Sequence, residues 1–220
     1  MLVVGSVGLL FGLGLAIASR KLAVEVDPRI DKVLGVLPGA NCGACGYPGC
    51  SAYAKAVVEG KAPPSGCIPG GPDVAAQIAE ITGTSAEASE PVMAVVHCKG
   101  GDKEAKSRGE YQGIHDCQAA VLAGNGHKVC LEGCLGLGTC ERACPFDAIH
   151  VNDNHVAVVD PDRCTGCGKC VEACPRNIIS MIPRDHNIFL ACSNHEKGAK
   201  VKKYCSVGCI ACQLCVKNTP

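Results

Sequence analysis

The chain has 220 residues, 19 of them cysteine, with aromatic residues at 3% and no tryptophan. So few aromatics supply little for a sizeable core, and a chain this rich in cysteine takes its rigidity from disulfides, structural zinc or iron–sulfur clusters. Lys plus Arg equals Asp plus Glu at 21 each, which excludes the basic surplus of a nucleic-acid binder.

The first segment, Leu2 to Ala18, reads LVVGSVGLLFGLGLAIA and carries no charge. As a helix it runs roughly 25 Å, enough for a thin bilayer. Arg20 and Lys21 follow at once and predict that the remainder stays on the cytoplasmic side. Ala16-Ile17-Ala18 resembles a signal-peptide cleavage site. Against cleavage, no charged region precedes the apolar run, and the basic pair lies on the wrong side for export. Residues 1–20 are therefore expected to be an uncleaved anchor, crossing the inner (cytoplasmic) membrane once and holding the later domains in the cytoplasm. That compartment is reducing, so thiols stay available for metal. Gly8, Gly12 and Ala16 form a small-residue stripe that either admits a neighbouring membrane helix or reflects the usual composition of such segments.

Residues 21–40 read as an amphipathic linker, broken by Pro28 and closed by Pro38-Gly39. A compact module spans 41–83 and contains Cys42-x2-Cys45-x4-Cys50-x16-Cys67 within and beyond NCGACGYPGC. Its four cysteines are expected to bind one 4Fe–4S cluster, with Gly43, Gly46 and Gly49 letting the backbone come close. Four cysteines alone would also suit zinc; the downstream motifs favour iron–sulfur. A helix is predicted over Ser51–Glu59, and another from an Asp73 N-cap to Gly83. Residues 84–129 read as a connector with a strand at Val92–Val96 and a charged loop at Lys99–Glu110.

Residues 130–182 carry the strongest signal, Cys164-x2-Cys167-x2-Cys170-x3-Cys174-Pro175. This is the bacterial ferredoxin run, in which three cysteines wrap one cluster and the fourth serves its neighbour. Its partner is Cys130-x3-Cys134-x5-Cys140-x3-Cys144-Pro145, where Leu137 stands in the slot of the second ligand. Crossed ligation then assigns Cys130, Cys134, Cys140 and Cys174 to one cluster and Cys144, Cys164, Cys167 and Cys170 to the other. Zinc prefers two separated pairs and fits such runs poorly.

Residues 183–220 repeat the earlier spacing as Cys205-x3-Cys209-x5-Cys215-x3-Thr219-Pro220. Cys209, Cys212 and Cys215 form a further three-ligand loop, and Thr219 replaces the cysteine before proline. The fourth ligand comes either from Cys205 or from sequence beyond Pro220, and the unit reads as the start of one that a longer protein would complete. Cys98, Cys117 and Cys192 are solitary; small buried hydrophobes are the ordinary reading, with a ligand or redox-active thiol as the alternative for Cys98 and Cys117. No glycine-rich phosphate loop follows a strand, so neither flavin nor nicotinamide is expected, and no catalytic residue is assigned.

The anchor, NCGACGYPGC with Cys67, and the pair CLGLGTCERACPFDAI and CTGCGKCVEACP together resemble the B subunit of the Rnf electron-transport complex. The resemblance implies a subunit of an ion-translocating ferredoxin:NAD⁺ oxidoreductase. Such a component accepts electrons from soluble ferredoxin and passes them to other membrane subunits. The expected fold is α+β: a transmembrane helix, a four-cysteine 4Fe–4S module, a bacterial-type two-cluster ferredoxin and the start of a further ferredoxin-like unit. The expected cofactors are at least three 4Fe–4S clusters, with more in a longer form. The alternatives are a stand-alone membrane-tethered polyferredoxin and a zinc-binding adaptor.

Overall fold

Three helices build the four-cysteine module. The first, α1 (Pro28–Val36), starts at the proline expected to break this stretch: Pro28 occupies the first turn, where a missing N–H costs nothing, and the Asp27 side chain accepts from the Arg29 N–H at 2.9 Å. α2 (Cys50–Val58) follows the cysteine loop directly. α3 (Gly71–Thr82) starts ahead of the expected Asp73 cap, because Pro72 suits a first turn; Asp73 lies inside that turn, where its charge favours the helix N-terminus. Gly83, left-handed at φ 71°, ends α3. Val33, Tyr53, Ala54, Val57 and Ile78 form the shared core.

This computed structural model describes residues 8, 11–17, 27–86, 90–186 and 188–218. Residues 11–17 are helical and exposed. Among the described residues no helix is long and apolar enough to cross a membrane. Most of the expected Leu2–Ala18 anchor, and Thr219, lie outside the described residues.

Beyond the module the chain forms two small antiparallel sheets. β1 (Val92–Val96), inside the expected connector, pairs with β4 (Ile179–Pro183), with Val92 opposite Pro183 and Val96 opposite Ile179. β2 (Ile149–Val151) pairs with β3 (Ala157–Val159). A two-stranded sheet is marginal alone. These two close on one core that includes Ala94, Ile149, Ala157 and Ile179 together with Cys134, Cys140, Cys164 and Cys170. Short helices α4 (Cys117–Gly124), α5 (Thr139–Arg142), α6 (Lys169–Ala173), α7 (Gly198–Val201) and α8 (Leu214–Asn218) complete the described chain. The mixture of helix and strand agrees with the α+β expectation.

Tyr53 decides how the last cysteine of the module is carried. Its ring is 1% exposed, and its hydroxyl donates to Pro63 O at 2.8 Å and Pro64 O at 3.1 Å. Those carbonyls belong to the loop that delivers Cys67, and a Cβ on Gly66 would stand 3.0 Å from Tyr53 Cε2, so glycine lets the loop lie this close without displacing the ring. Tyr53→Phe leaves both carbonyls without this donor and is expected to cost about 1–2 kcal/mol. Thermal unfolding of the two proteins checks this; an unchanged midpoint would show that the loop is held by other contacts.

Candidate metal centres

The ferredoxin loops are shaped by alternating left-handed residues. Gly166 and Gly168 have φ of 75° and 77°, and Gly136 and Gly138 have 68° and 75° at the equivalent positions. This alternation turns successive backbone N–H groups to the inside of the loop, forming a concavity for anionic atoms. Ala211 and Gln213 adopt the same region at 55° and 60°, although a side chain disfavours it. All three loops therefore share one backbone form, even where glycine is absent.

From the second loop, Cys164, Cys167 and Cys170 line an apolar cavity, and Cys144 reaches it from the first loop. Backbone N–H groups of Ala94 and Ala148 donate to the sulfurs of Cys164 and Cys144, each at 3.4 Å. Burial pushes the Cys170 thiol up to about 11, and Cys164, Cys167 and Cys144 add to the rise.

The matching cavity holds Cys134, Cys140 and, from the second loop, Cys174. Its remaining cysteine is Cys117 rather than Cys130. Cys117 opens α4, whose Asp116 cap accepts from the N–H groups of Gln118 and Ala119 at 2.8 and 3.0 Å. The same carboxylate accepts from Thr139 Oγ1 at 2.8 Å and Arg142 Nη2 at 2.9 Å, and Thr139 Oγ1 accepts from Cys117 N at 2.7 Å. α4 is thereby tied to the loop in which Leu137 fills the vacant ligand slot. Leu137 packs with Ala120 and Leu135 under the helix. The Cys140 thiol is pushed up to about 12, by burial first and then by Cys134, Cys117 and Cys174. Sequence spacing misses Cys117 because its partnership is made by tertiary docking; the one signal of it is the leucine in the ligand slot. Cys130 lies instead in a separate cavity that it shares with Cys205.

In the module, Cys42 and Cys45 sit in the loop, Cys50 begins α2, and Cys67 lies between two 3-10 turns. Asn41 Oδ1 accepts from Cys50 N at 2.9 Å and anchors the loop to the helix. Burial raises the Cys67 thiol, and Cys50, Cys45 and Cys42 add to it, so the four stand as neighbours. In the third unit Cys209 is half-buried, whereas Cys212 and Cys215 are exposed.

Among the described residues no three His, Cys, Asp or Glu side chains are close enough together to hold a single metal ion. Four cysteines line each of the two ferredoxin cavities, the ligand number that a four-iron cubane takes. Raised thiols also prefer a proton to a bare charge, so loading with a cationic cluster releases protons and stabilises the fold.

Comparison with known proteins agrees with this chemistry. A family model described as "Putative Fe-S cluster" matches residues 37–69, and one described as "4Fe-4S binding domain" matches residues 157–180. The B subunit of the proton-translocating ferredoxin:NAD(+) oxidoreductase complex of Clostridium ljungdahlii is 47% identical over 95% of this chain and 74% of its own length. The chain belongs to this B subunit family. The Na(+)-translocating counterpart from Acetobacterium woodii is 46% identical, over 94% of this chain and 62% of the relative. The B subunit of an ion-translocating oxidoreductase complex from Methanosarcina acetivorans is 39% identical, over 99% and 83%. As a member of the family the chain uses 4Fe–4S clusters as cofactors.

Two substitutions test the ligand exchange at Leu137. Cys117→Ser is expected to erase the same low-temperature paramagnetic signal as Cys174→Ser, while Cys144→Ser erases the one lost with Cys164→Ser. Loss of no signal in Cys117→Ser would return the fourth ligand to another residue. Asp116→Ala removes the cap and should cost about 1 kcal/mol while broadening the Cys117-dependent signal. The Asp116 carboxyl is held below its usual range, chiefly by the Ala119 N–H and Thr139. Its contribution is therefore complete above the ordinary carboxylate range and is lost only as pH falls through the lowered value.

Proposed function

We propose that this chain is the electron-relay component of a membrane-bound, ion-translocating ferredoxin:NAD⁺ oxidoreductase. It takes electrons from reduced soluble ferredoxin and passes them to the other membrane subunits. The observation that carries the reading is the adjacency of the thiol sets. Cys42 of the module contributes to the raised state of Cys167, and a Cβ on Gly43 would stand 3.9 Å from Lys169 Nζ, so the module lies against the second ferredoxin loop. Cys170 contributes likewise at Cys140, as expected of two ferredoxin cavities that lie side by side.

When bound, the clusters supply one-electron chemistry. The protein's part is placement and exclusion of water. Ala94 and Ala148 donate N–H bonds to ligand sulfurs, apolar residues such as Phe146 and Met181 wall the cavity, and Lys169, paired with Glu172 at 2.9 Å, lies near Cys42 and Cys167. In this reading Leu2–Ala18 spans the bilayer once, and Arg20 and Lys21 retain the cluster-bearing part in the cytoplasm.

Rapid mixing of the anaerobically purified complex with reduced ferredoxin should bleach the visible absorption of this chain before NADH appears. A reporter placed after Ser19 should be found on the cytoplasmic side. If deletion of the chain left ferredoxin-dependent NAD⁺ reduction in membranes untouched, and the chain purified without other membrane subunits, it would be a stand-alone tethered polyferredoxin.

A further inference from the structure

Four cysteines remain outside the module set, the two ferredoxin sets and the exposed third loop, and the fold gathers them. We propose that Cys98, Cys130, Cys192 and Cys205 bind a further 4Fe–4S cluster. All four line one cavity, similar in size to the two ferredoxin cavities. The space is thus of the size that this chain provides for a cluster elsewhere. The ligands come from four distant segments, held together by antiparallel bridges that pair Cys98 with Cys192 and Ala105 with Cys205.

The sulfurs are already solvated in the manner of cluster ligands. Cys98 accepts from the Cys134 N–H at 3.3 Å, Cys192 from the Cys209 N–H at 3.3 Å, and Cys130 from Asn194 Nδ2 at 3.2 Å. These match the N–H···S contacts at Cys164 and Cys144 in the ferredoxin pair. Asn194 is itself fixed by a 2.8 Å bond to Tyr204 Oη. At Gly100 a Cβ would lie 3.1 Å from Cys205 Sγ and 4.0 Å from Cys98 Sγ, so bare backbone closes that wall.

Lys128 points to the same site independently. It lines this cavity, is 1% exposed, and donates from Nζ to Gly100 O at 3.0 Å. A buried ammonium is costly unless opposed by negative charge. Four thiolates around a cluster bring that charge to the wall where Lys128 stands.

The site also stands between two others. Cys134, whose N–H reaches Cys98, belongs to the ferredoxin pair, and Cys209, whose N–H reaches Cys192, opens the third loop. On the relay reading, which this placement rests on, the additional cluster bridges the interval between the pair and the third unit. One electron enters from one neighbouring cluster and one leaves to the other, with no net change at the site.

The test uses the full chain purified anaerobically. Cys98→Ala/Cys192→Ala should lose about four irons and four sulfides per chain, with one paramagnetic signal gone and the Cys164- and Cys174-dependent signals intact. Unchanged iron, or stoichiometric zinc that the double variant loses, would overturn the proposal. Wild-type protein gives a second reading that needs no substitution. In the loaded chain Cys98, Cys130, Cys192 and Cys205 should resist alkylation and become reactive together once iron is stripped. Equal labelling before and after stripping would also overturn it. Both readouts are independent of electron transfer, so failure of the relay reading would leave the site itself standing.

Discussion

The crossing of two thiols governs the rest of this structure. Cys144 leaves the first loop to line the second loop's cavity, and Cys174 makes the reverse journey. α5 and α6 have four and five residues and each sheet has only two strands, so none of these elements is stable alone. Buried Cys134, Cys140, Cys164 and Cys170 lie within the apolar core itself. Whatever the thiols hold is therefore part of the core, and ligation and folding are a single event. The pairing of β1 with β4 reinforces this closure by joining the two ends of the unit.

The two loops are copies in backbone but differ at two positions that decide what each one receives from the rest of the chain. Where the second loop has Cys167 and Lys169, the first has Leu137 and Thr139. Leu137 gives α4 an apolar seat and Thr139 bonds both Asp116 and Cys117, so this loop receives a helix that returns the lost thiol. Cys167 keeps its own thiol, and Lys169 faces Cys42 of the four-cysteine module. One loop is thereby specialised toward the 97–129 segment and the other toward the module. A symmetric repeat becomes an element with two distinct neighbours through two side chains.

Electrostatics follows the same division. Most charged pairs are exposed and add little to stability, as with Lys200–Glu196 and Arg163–Asp147. Lys128 is different, because it is buried, lines the cavity that also holds Cys98, Cys130, Cys192 and Cys205, and donates to Gly100 O at 3.0 Å.

Much of this was legible in the sequence for a local reason. Cysteines spaced by two residues, glycines between them and proline after the last one specify a loop whose turns are made by neighbours in the chain. The left-handed Gly166 and Gly168, the strand at Val92–Val96 and the placing of Cys144 against Cys164, Cys167 and Cys170 all follow from contacts within a motif or between two copies of it. Cys117, Cys98 and Cys192 carried no such mark. Each is solitary in sequence, and its partners are chosen by how α4 docks under Asp116 and how the backbone at Cys98 bridges that at Cys192. Spacing therefore determined which chemistry this protein performs, while the tertiary structure decided which thiols share a cavity, because a ligand drawn from a distant segment is positioned by packing and not by the chain that precedes it.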